Sequence, residues 1–262
     1  MKITQLRNAT IVIESGEKVI LVDPMLAPQA AIPSLKYFTG NNRRNPLVGL
    51  PQVTDELLSR VTHCLITHCQ KGHFDHLDRA GTKWLRENKI PVFCSEQDVD
   101  FLQKKGLDIS TLSVNKDNAF LSGSIKLVPC LHGKGMIGKL MAHGYGFFIQ
   151  LEDEPSVYIT GDTVLTEVVK NFISDNQPAW IVLPAGGARF NFGGDIIMGK
   201  EEALQVAEIS KGSLIANHLE ALDHCPVTRT ELRKEAAKFR FDDRFFIPED
   251  GESIELVSTF PF

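Results

Sequence analysis

The sequence predicts a mixed α/β fold, and three observations support that prediction. Short β-rich runs recur along the chain, helical stretches separate the later runs, and no repeat period or polar linker interrupts them. The chain has 262 residues, of which 43% are hydrophobic, so it can bury a sizeable core. We therefore expect one continuous domain that spans residues 1–262.

The beginning of the chain predicts antiparallel sheet. The run ITQL comes first, and the runs TIVIE and KVILV follow, separated by Ser15, Gly16 and Glu17 as a hairpin requires. Residues 24–53 contain several prolines and the polar stretch TGNNRRN without clear periodicity. That segment predicts a long loop over the surface.

The rest of the chain alternates between strand-like runs and helical stretches. The strand-like runs are HCLIT, PVFC, SIKLVPC, GYGFFIQL, SVYIT, WIVLP and SLIA. Helices are predicted over residues 77–88, 96–105, 164–173, 200–211 and 228–238. Several of these strands are followed by His or Asp, and binding sites in α/β folds gather where strands end and loops begin.

Composition narrows the possible partners and the compartment. The net charge of −5 provides no positive field for phosphate backbones, so we expect no nucleic-acid partner. Five scattered cysteines without a close CxxC pair suggest neither a disulfide framework nor a thiolate zinc site, and a reducing cytoplasm fits them best. No apolar run approaches the roughly 20 residues of a membrane span. We expect a cytoplasmic protein that acts on a small molecule away from membranes, and a homo-oligomer is left open.

The segment THCQKGHFDHLD, residues 67–78, is the densest group of potential metal ligands. Its candidate ligands are His68, His73, Asp75 and His76. They lie between the apolar strand HCLIT and a helix, in a turn that Gly72 can tighten. Neutral imidazole and carboxylate are ligands that suit a divalent ion such as zinc. A solvated polar turn is the alternative interpretation.

Three later residues support the metal interpretation. His132 follows the strand SIKLVPC, Asp162 follows SVYIT, and His218 follows SLIA. A buried carboxylate at a strand end needs a cation or a helix N-terminus to compensate it. Taken one at a time, His132 fits a capping or surface role as well, Asp162 fits a helix cap, and His218 fits a structural role.

The order of these residues resembles the metallo-β-lactamase superfamily, whose members carry a Thr-His-x-His-x-Asp-His motif, then a lone His, an Asp after a strand, and a final His. Three further phrases are most similar to the branch of L-ascorbate 6-phosphate lactonase-like proteins. They are Val22-Asp23-Pro24, residues 159–163 (ITGDT) and residues 198–203 (MGKEEA). The resemblance implies a four-layer αββα sandwich with two metal ions in a cleft at one edge.

The resemblance also implies a ligand set. His68, His73 and His132 would bind one ion, Asp75, His76 and His218 would bind the second, and Asp162 would bridge them.

One departure from the family motif concerns the first ligand. The motif has one residue between its first two histidines, whereas residues 69–72 intervene here. An ungapped alignment would put Lys71 in the first position. We keep His68 there because it directly follows the apolar strand, although Cys69 or Gln70 could replace it, or the turn could hold a single ion.

The predicted function is a metal-dependent hydrolase that uses a metal-activated hydroxide on a small ester, lactone or phosphoester. Asp75 would be the catalytic residue, as ligand and proton acceptor together. We expect two divalent ions, with zinc first and manganese or iron as alternatives. His224, Asp223 and Arg189 are the predicted substrate contacts, and the pocket walls are predicted to come from loops 24–53, 133–143 and 186–198.

Two other functions remain open on the same scaffold. One is a nucleic-acid phosphodiesterase or nuclease, against which the lack of a basic stripe speaks. The other is a non-hydrolytic metal-binding protein or a diiron redox protein. Histidine rather than a carboxylate at position 73, and no flavin module after the site residues, argue against the redox version.

Overall fold

Two seven-stranded sheets form the centre of the computed structural model, which describes residues 1–36, 43–70, 72–133, 138, 141, 144–190 and 194–257. The strands of the first sheet are β1 (Lys2–Arg7), β2 (Thr10–Ser15), β3 (Lys18–Val22), β4 (His63–Ile66), β5 (Val92–Ser95), β6 (Ile109–Leu112) and β14 (Ser253–Glu255). Those of the second sheet are β7 (Asp117–Phe120), β8 (Gly123–Pro129), β9 (Tyr145–Leu151), β10 (Val157–Ile159), β11 (Trp180–Pro184), β12 (Ser213–Asn217) and β13 (Phe245–Phe246). The described helices are α1 (Thr54–Ser59), α2 (Arg79–Glu87), α3 (Val99–Gln103), α4 (Glu167–Asn176), α5 (Lys200–Ile209) and α6 (Arg229–Lys238).

Each sheet has an antiparallel half and a parallel half. The first sheet runs β14-β1-β2-β3-β4-β5-β6, and its strands β3 to β6 are parallel. The second runs β13-β12-β11-β10-β9-β8-β7, and its strands β10 to β13 are parallel. Parallel strands end at the same edge of their sheet, so the loops that follow them come together there.

The core between the sheets follows from alternating side chains. In β2, Ile11 and Ile13 join the central core, which also contains Phe147 and Ile149 of β9, whereas Val12 points to the opposite face. Successive residues of a strand face opposite sides, so one apolar set fills the space between the sheets and the other meets helices.

The helices complete two outer layers. Helices α1 to α3 cover the first sheet and α4 to α6 cover the second. Their buried contacts include Leu57, Leu85 and Leu102 on the first sheet, and Val169, Val206 and Leu232 on the second. The predicted four-layer αββα sandwich is confirmed.

Two helices begin later than the sequence predicted, at positions set by side-chain caps. Helix α4 begins at Glu167 rather than at the predicted residue 164, because the side chain of Thr166 accepts a hydrogen bond from the amide of Val169 at 3.2 Å. Helix α2 begins after Asp78, which caps it through the amide of Gly81 at 2.6 Å. Both caps satisfy amides that a helix leaves free at its start.

Several short elements were missing from the sequence prediction. They are α1, β6, β7, β13 and β14, which have between two and six residues each. Elements this short carry too few periods of a hydrophobic pattern to be recognised alone. The described part of the predicted loop 24–53 contains one isolated bridge, between Ile32 and Asn45, and no helix or strand.

Two further observations concern the chain as a whole. Among the described helices, none has both the length and the apolar character that a membrane crossing requires. All five cysteines are free thiols.

Candidate metal centre

The predicted metal ligands lie just beyond strand ends of both sheets. From the first sheet, β4 leads to His68, and the turn before α2 carries His73, Asp75 and His76. From the second sheet come His132 after β8, Asp162 after β10 and His218 after β12. All seven side chains are buried. The fold thus brings these seven residues, which are far apart in the sequence, to one edge of the sandwich.

The seven residues form two groups, which we call the first and the second group. The first group is His68, His73 and His132, and the second is Asp75, His76, Asp162 and His218. Within each group, every residue offers a ligand atom within 4.8 Å of the others. Groups of this composition and spacing can each surround a divalent ion.

Asp162, a member of the second group, also faces the first group. Its Oδ2 is 3.1 Å from Nε2 of His76 and 3.3 Å from Nε2 of His218, both in the second group. The same oxygen is 3.6 Å from Nε2 of His132 in the first group. A carboxylate in this place is positioned to contact ions in both groups.

The side chains of Cys69 and Gln70, which follow His68, are directed to Asp98. Gln70 donates from Nε2 to the carboxylate of Asp98 at 2.9 Å, and the thiol of Cys69 lies 3.6 Å from the same carboxylate. The ring of His68 lies 4.5 Å from that of His73, centre to centre. Of the residues weighed for the first position, His68 is therefore the one that joins the group, and Lys71 lies outside the described residues.

Hydrogen bonds that the Nδ1 atoms donate orient the histidine rings. Nδ1 of His76 donates to Asp23 at 2.8 Å, and Nδ1 of His132 donates to the carbonyl of Ile196 at 2.8 Å. Nδ1 of His73 meets the carbonyl of Gln70. Such partners fix the tautomer and leave Nε2 free to face a metal.

The inward Nε2 atoms provide a test of whether a cation fits. Nε2 of His68 and of His73 is buried and has no hydrogen-bond partner. A buried ring nitrogen without a partner is costly, and inward Nε2 atoms of rings that donate through Nδ1 are all acceptors, so none provides a hydrogen-bond donor for another. A divalent ion would satisfy all of them, so the residues fit the metal that the motif implies.

In the second group, the pKa values of the imidazoles are raised and those of the carboxyl groups are lowered. Burial disfavours a charged His76, but the carboxylates of Asp162, Asp23 and Asp75 outweigh burial and hold its pKa well above the ordinary value. The pKa of His218 is raised in the same way, against burial, chiefly by Asp162. Burial would raise the pKa of Asp75 and Asp162, but the neighbouring imidazoles His76 and His218 outweigh it and lower both values. A cation that enters this group therefore competes with protons.

The first group has the opposite electrostatic character. Burial, reinforced by the neighbouring His76 and His73, lowers the pKa of His68 well below the ordinary value. Burial also lowers the pKa of His132, to about 4, although Asp162 opposes the shift. Both rings are thus neutral near pH 7, which is the protonation state that a metal ligand needs.

A cavity of about 110 Å³ borders both groups. Its polar walls include His73 and His132 of the first group and Asp75 and Asp162 of the second. Its apolar walls are Leu35, Phe74, Met141, Phe190 and Ile196. Apart from Phe74, these apolar residues come from the loops 24–53, 133–143 and 186–198 that the sequence predicted as pocket walls.

The three predicted substrate contacts occupy different places. His224 lines the cavity and is 4% exposed. Arg189 is exposed and lines a neighbouring cleft of about 400 Å³ together with Lys200 and Glu231.

Asp223 instead anchors the long loop. Its carboxylate accepts hydrogen bonds from the hydroxyl of Ser34, the amides of Leu35 and Lys36, and Nδ2 of Asn45. Asp223 therefore holds the loop that places Leu35 in the cavity wall, and it is not among the residues that line the cavity.

Two supporting carboxylates were not recognised as site residues from the sequence. Asp23 follows the strand β3 directly and, besides His76, accepts from the hydroxyl of Thr67 at 2.6 Å and its amide at 2.8 Å. Asp98 is 0% exposed and accepts from Ser95 at 2.9 Å in addition to Gln70. For Asp23, the available signal was a carboxylate directly after an apolar strand, the same signal that singled out Asp162.

Similar solved structures define the class of protein. One is an isothiocyanate hydrolase from Delia radicum gut bacteria, with 32% identity, a TM-score of 0.87, and 97% of this chain and 99% of that chain covered. Another is a possible metal-dependent hydrolase from Veillonella parvula, with 27% identity, a TM-score of 0.88, and 97% and 98% covered. YhfI from Bacillus subtilis, a metallo-β-lactamase fold protein, has 16% identity, a TM-score of 0.66, and 97% and 98% covered. The fold is that of the metallo-β-lactamases.

The curated relatives define the family. YddR of Bacillus subtilis, a UPF0173 protein, is 32% identical over 257 residues, which cover 97% of this chain and 99% of that protein. A UPF0173 metal-dependent hydrolase of Flavobacterium johnsoniae is 26% identical, with 98% and 100% covered. No family model matches the chain. The chain belongs to the UPF0173 family of metal-dependent hydrolases, and the predicted enzyme class is confirmed. These relatives do not confirm the finer placement with the L-ascorbate 6-phosphate lactonase-like proteins, which stays a prediction.

Proposed function

We propose that this protein is a two-metal hydrolase of a small, uncharged and largely apolar molecule with an electrophilic carbon. The observation that carries the proposal is the position of the cavity. Members of both groups of buried ligands line it, and apolar side chains form most of the remaining lining. The reacting bond of a bound molecule would therefore lie against the metal ligands.

The ligand set follows the two groups. His68, His73 and His132 would hold one divalent ion, Asp75, His76 and His218 would hold the other, and Asp162 would contact both. When bound, two such ions supply hydroxide from water near neutral pH and polarise the substrate. The ligands suit zinc first, with manganese and iron as alternatives.

Asp75 is the residue placed to accept a proton from the attacking water. It is an ionised carboxylate that lines the cavity, and its Oδ2 lies 3.2 Å from Nε2 of His218. Nε2 of His76 lies 3.7 Å from the same oxygen, so two imidazoles hold this carboxylate beside the cavity.

His224 is the residue placed to orient a substrate heteroatom. It lines the cavity, and its Nδ1 is buried without a hydrogen-bond partner. Burial lowers the pKa of its imidazole to about 4, so the ring is neutral near pH 7 and carries one donor and one acceptor. The ring of Phe190, which also lines the cavity, stacks on it with ring centres 6.0 Å apart.

The cavity walls favour an uncharged substrate over a phosphoester. Among the described residues that line the cavity there is no lysine or arginine, and Arg189 belongs to the neighbouring cleft. A bound phosphate would therefore have its charge compensated by the metal ions alone, without help from a cationic side chain of the described cavity wall. The volume of about 110 Å³ is also below the range of about 300–1,000 Å³ that is usual for ligand sites, which favours a small molecule.

An isothiocyanate meets these requirements. The structure with 32% identity is an isothiocyanate hydrolase, and the substrate is uncharged and has an electrophilic carbon between nitrogen and sulfur. Addition of water to that carbon and cleavage of its bond to nitrogen yield a primary amine and carbonyl sulfide, with both protons of water ending on nitrogen. His224 would then contact the nitrogen or the sulfur. Small esters and lactones remain the other uncharged candidates.

A substrate panel tests the proposal. Protein loaded with Zn²⁺ or Mn²⁺ would be assayed with benzyl isothiocyanate, a γ-lactone, 4-nitrophenyl acetate and bis(4-nitrophenyl) phosphate. We expect kcat/KM for an uncharged substrate to exceed that for the phosphodiester by about a hundredfold or more, and chelation to abolish both. Preferential turnover of the phosphodiester would overturn the substrate class.

A charged variant sharpens the same test. Phe190 is 36% exposed at the cavity, so Phe190→Lys places a cation there without burying it fully. We expect this variant to shift selectivity toward the phosphodiester. Phe239→Lys, at a side chain 50% exposed at the end of α6, is the matched control and should leave selectivity unchanged.

A further inference from the structure

A side chain outside the predicted ligand set reaches the second group. Asn8 lies in the turn between β1 and β2 and is 0% exposed. Its Nδ2 lies 3.2 Å from Nε2 of His218, which is the ring atom that faces the two carboxylates of the group. The amide therefore meets the same ring nitrogen that would bind an ion.

The spacing is that of neighbouring ligands around one ion. Two donor atoms that each lie about 2.1 Å from a metal and subtend 90–110° are separated by about 3.0–3.4 Å. Nε2 of His218 is 3.2 Å from Oδ2 of Asp75, 3.3 Å from Oδ2 of Asp162 and 3.2 Å from the amide of Asn8. The amide thus has the same distance to Nε2 as the two carboxylates.

The other end of the amide has no partner. Oδ1 of Asn8 is buried and accepts no hydrogen bond. Rotation by 180° about the last side-chain bond exchanges oxygen and nitrogen in the same space, so either atom can face His218. An amide oxygen is a good neutral donor to a divalent ion, whereas an amide nitrogen is not.

Backbone contacts hold Asn8 in place independently of its side chain. Asn8 has a φ of +55°, and its carbonyl accepts from the amide of His218 at 3.0 Å and from Nε2 of Gln5 at 2.9 Å. Asn and Gly both tolerate this left-handed conformation. A glycine here would remove the side chain alone and keep these backbone contacts.

We propose that Asn8 belongs to the second metal site, with Oδ1 turned toward the ion as a neutral oxygen donor. This inference rests on the proposed two-metal function. It adds a donor from β1–β2 to a set that otherwise comes from the turn before α2 and from the second sheet. A neutral donor would leave the charge of the second group unchanged.

Two variants test the proposal by metal binding. Zn²⁺ and Mn²⁺ would be titrated into metal-free protein against a chelator, and bound metal per chain would be measured by elemental analysis. For Asn8→Gly we expect the dissociation constant of one of two ions to rise by about tenfold or more, with the other unchanged. For Asn8→Asp, which keeps an oxygen donor, we expect binding as tight as in the wild type or tighter.

The outcomes separate this inference from the proposed function. Wild-type protein that binds fewer than two ions would overturn the two-metal function itself. Two tightly bound ions in both wild type and Asn8→Gly would overturn only the role of Asn8. If Asn8→Asp were as weak as Asn8→Gly, the amide would act through its N–H on His218, and the oxygen donor would be excluded.

A matched control addresses folding. Asp153 also has a positive φ, of +60°, in an exposed turn, so Asp153→Gly removes a polar side chain from an equivalent backbone conformation. Asp153→Gly should bind both ions like the wild type, and thermal unfolding of all variants would show that the fold is kept.

Discussion

The two groups of the candidate metal centre are built in different ways. The first group consists of three imidazoles, and backbone carbonyls orient two of them, those of Gln70 and Ile196. The second group contains two carboxylates and two imidazoles, and a further buried carboxylate, Asp23, orients His76. The first group contains no carboxylate and is supported by backbone carbonyls of loops, whereas the second contains two carboxylates and is supported by a carboxylate at a strand end.

Metal binding and substrate selection are linked more closely in the first group than in the second. Gln70 and Ile196, which support the first group, belong to segments that also carry cavity walls: Gly72 to Phe74 and Ile196 itself. The support of the second group comes from Asp23, which directly follows β3, and residues 19–22 of that strand are buried. We therefore expect changes in the cavity walls to alter the affinity of the first group for its ion, and to leave the affinity of the second group unchanged.

The largest effect is expected where the two groups meet. Asp162→Ala removes the oxygen that lies within 3.6 Å of Nε2 atoms in both groups. We expect the variant to lose both ions at micromolar metal and its kcat/KM to fall by at least about a hundredfold. Elemental analysis and the substrate panel would measure this, and a variant that still holds two ions would contradict the bridging position.

Single ligand variants should separate the groups. His68→Ala should leave one ion per chain, held by the second group, and His76→Ala should leave one ion held by the first. Each substitution removes a ligand from one group and weakens the binding of that group's ion, whereas the other group keeps all its ligands. Metal counting on the two variants and on the double variant would check this, and loss of both ions from His68→Ala would show that the groups act as one site.

A smaller effect is expected from the supporting carboxylates. Asp23→Asn weakens the hold on His76, so we expect the affinity of the second ion to fall by about ten- to a hundredfold. Asp98→Asn weakens the anchor of Gln70, whose carbonyl meets His73, and should lower only the affinity of the first ion. Chelator competition on both variants would measure the two constants. If either variant weakened the binding of both ions equally, the two groups would not have separate supports.

The smallest effect is expected at Asp223, outside both groups. Donors from Ser34 and Asn45 lower the pKa of Asp223 although burial opposes the shift. The stabilisation that this carboxylate provides is therefore present above the unfolded-state pKa of about 3.9 and is lost as the pH falls through the lower folded-state value. Asp223→Asn should cost about 1 kcal/mol at pH 7 and raise KM severalfold without loss of metal.

The measurement for Asp223 is chemical denaturation of wild type and variant from pH 7 to pH 3. The difference in the free energy of unfolding should shrink as the pH falls below about 4. A constant difference over that range would show that the charge of Asp223 does not contribute.

Much of the fold could be predicted because its signals are local. The alternation in TIVIE places Ile11 and Ile13 on one face, and the strand-like runs from HCLIT to SLIA all correspond to strands of the two sheets. Boundaries and short strands were less accessible, since α4 begins where Thr166 happens to cap it and β6 has four residues. The layer order came from the resemblance and not from periodicity.

Local sequence patterns were enough to identify the candidate ligands: His73, Asp75 and His76 share one turn, and Asp162 follows an apolar run. The sequence favoured His68 over Cys69 and Gln70 for the first group, and the structure places it there, whereas the anchoring of a loop by Asp223 and the contact of Asn8 with His218 are visible only in the structure. The reason is separation along the chain. Asn8 and His218 are 210 residues apart and Asp23 and His76 are 53 apart, and contacts at such distances depend on how two sheets pack rather than on any local pattern.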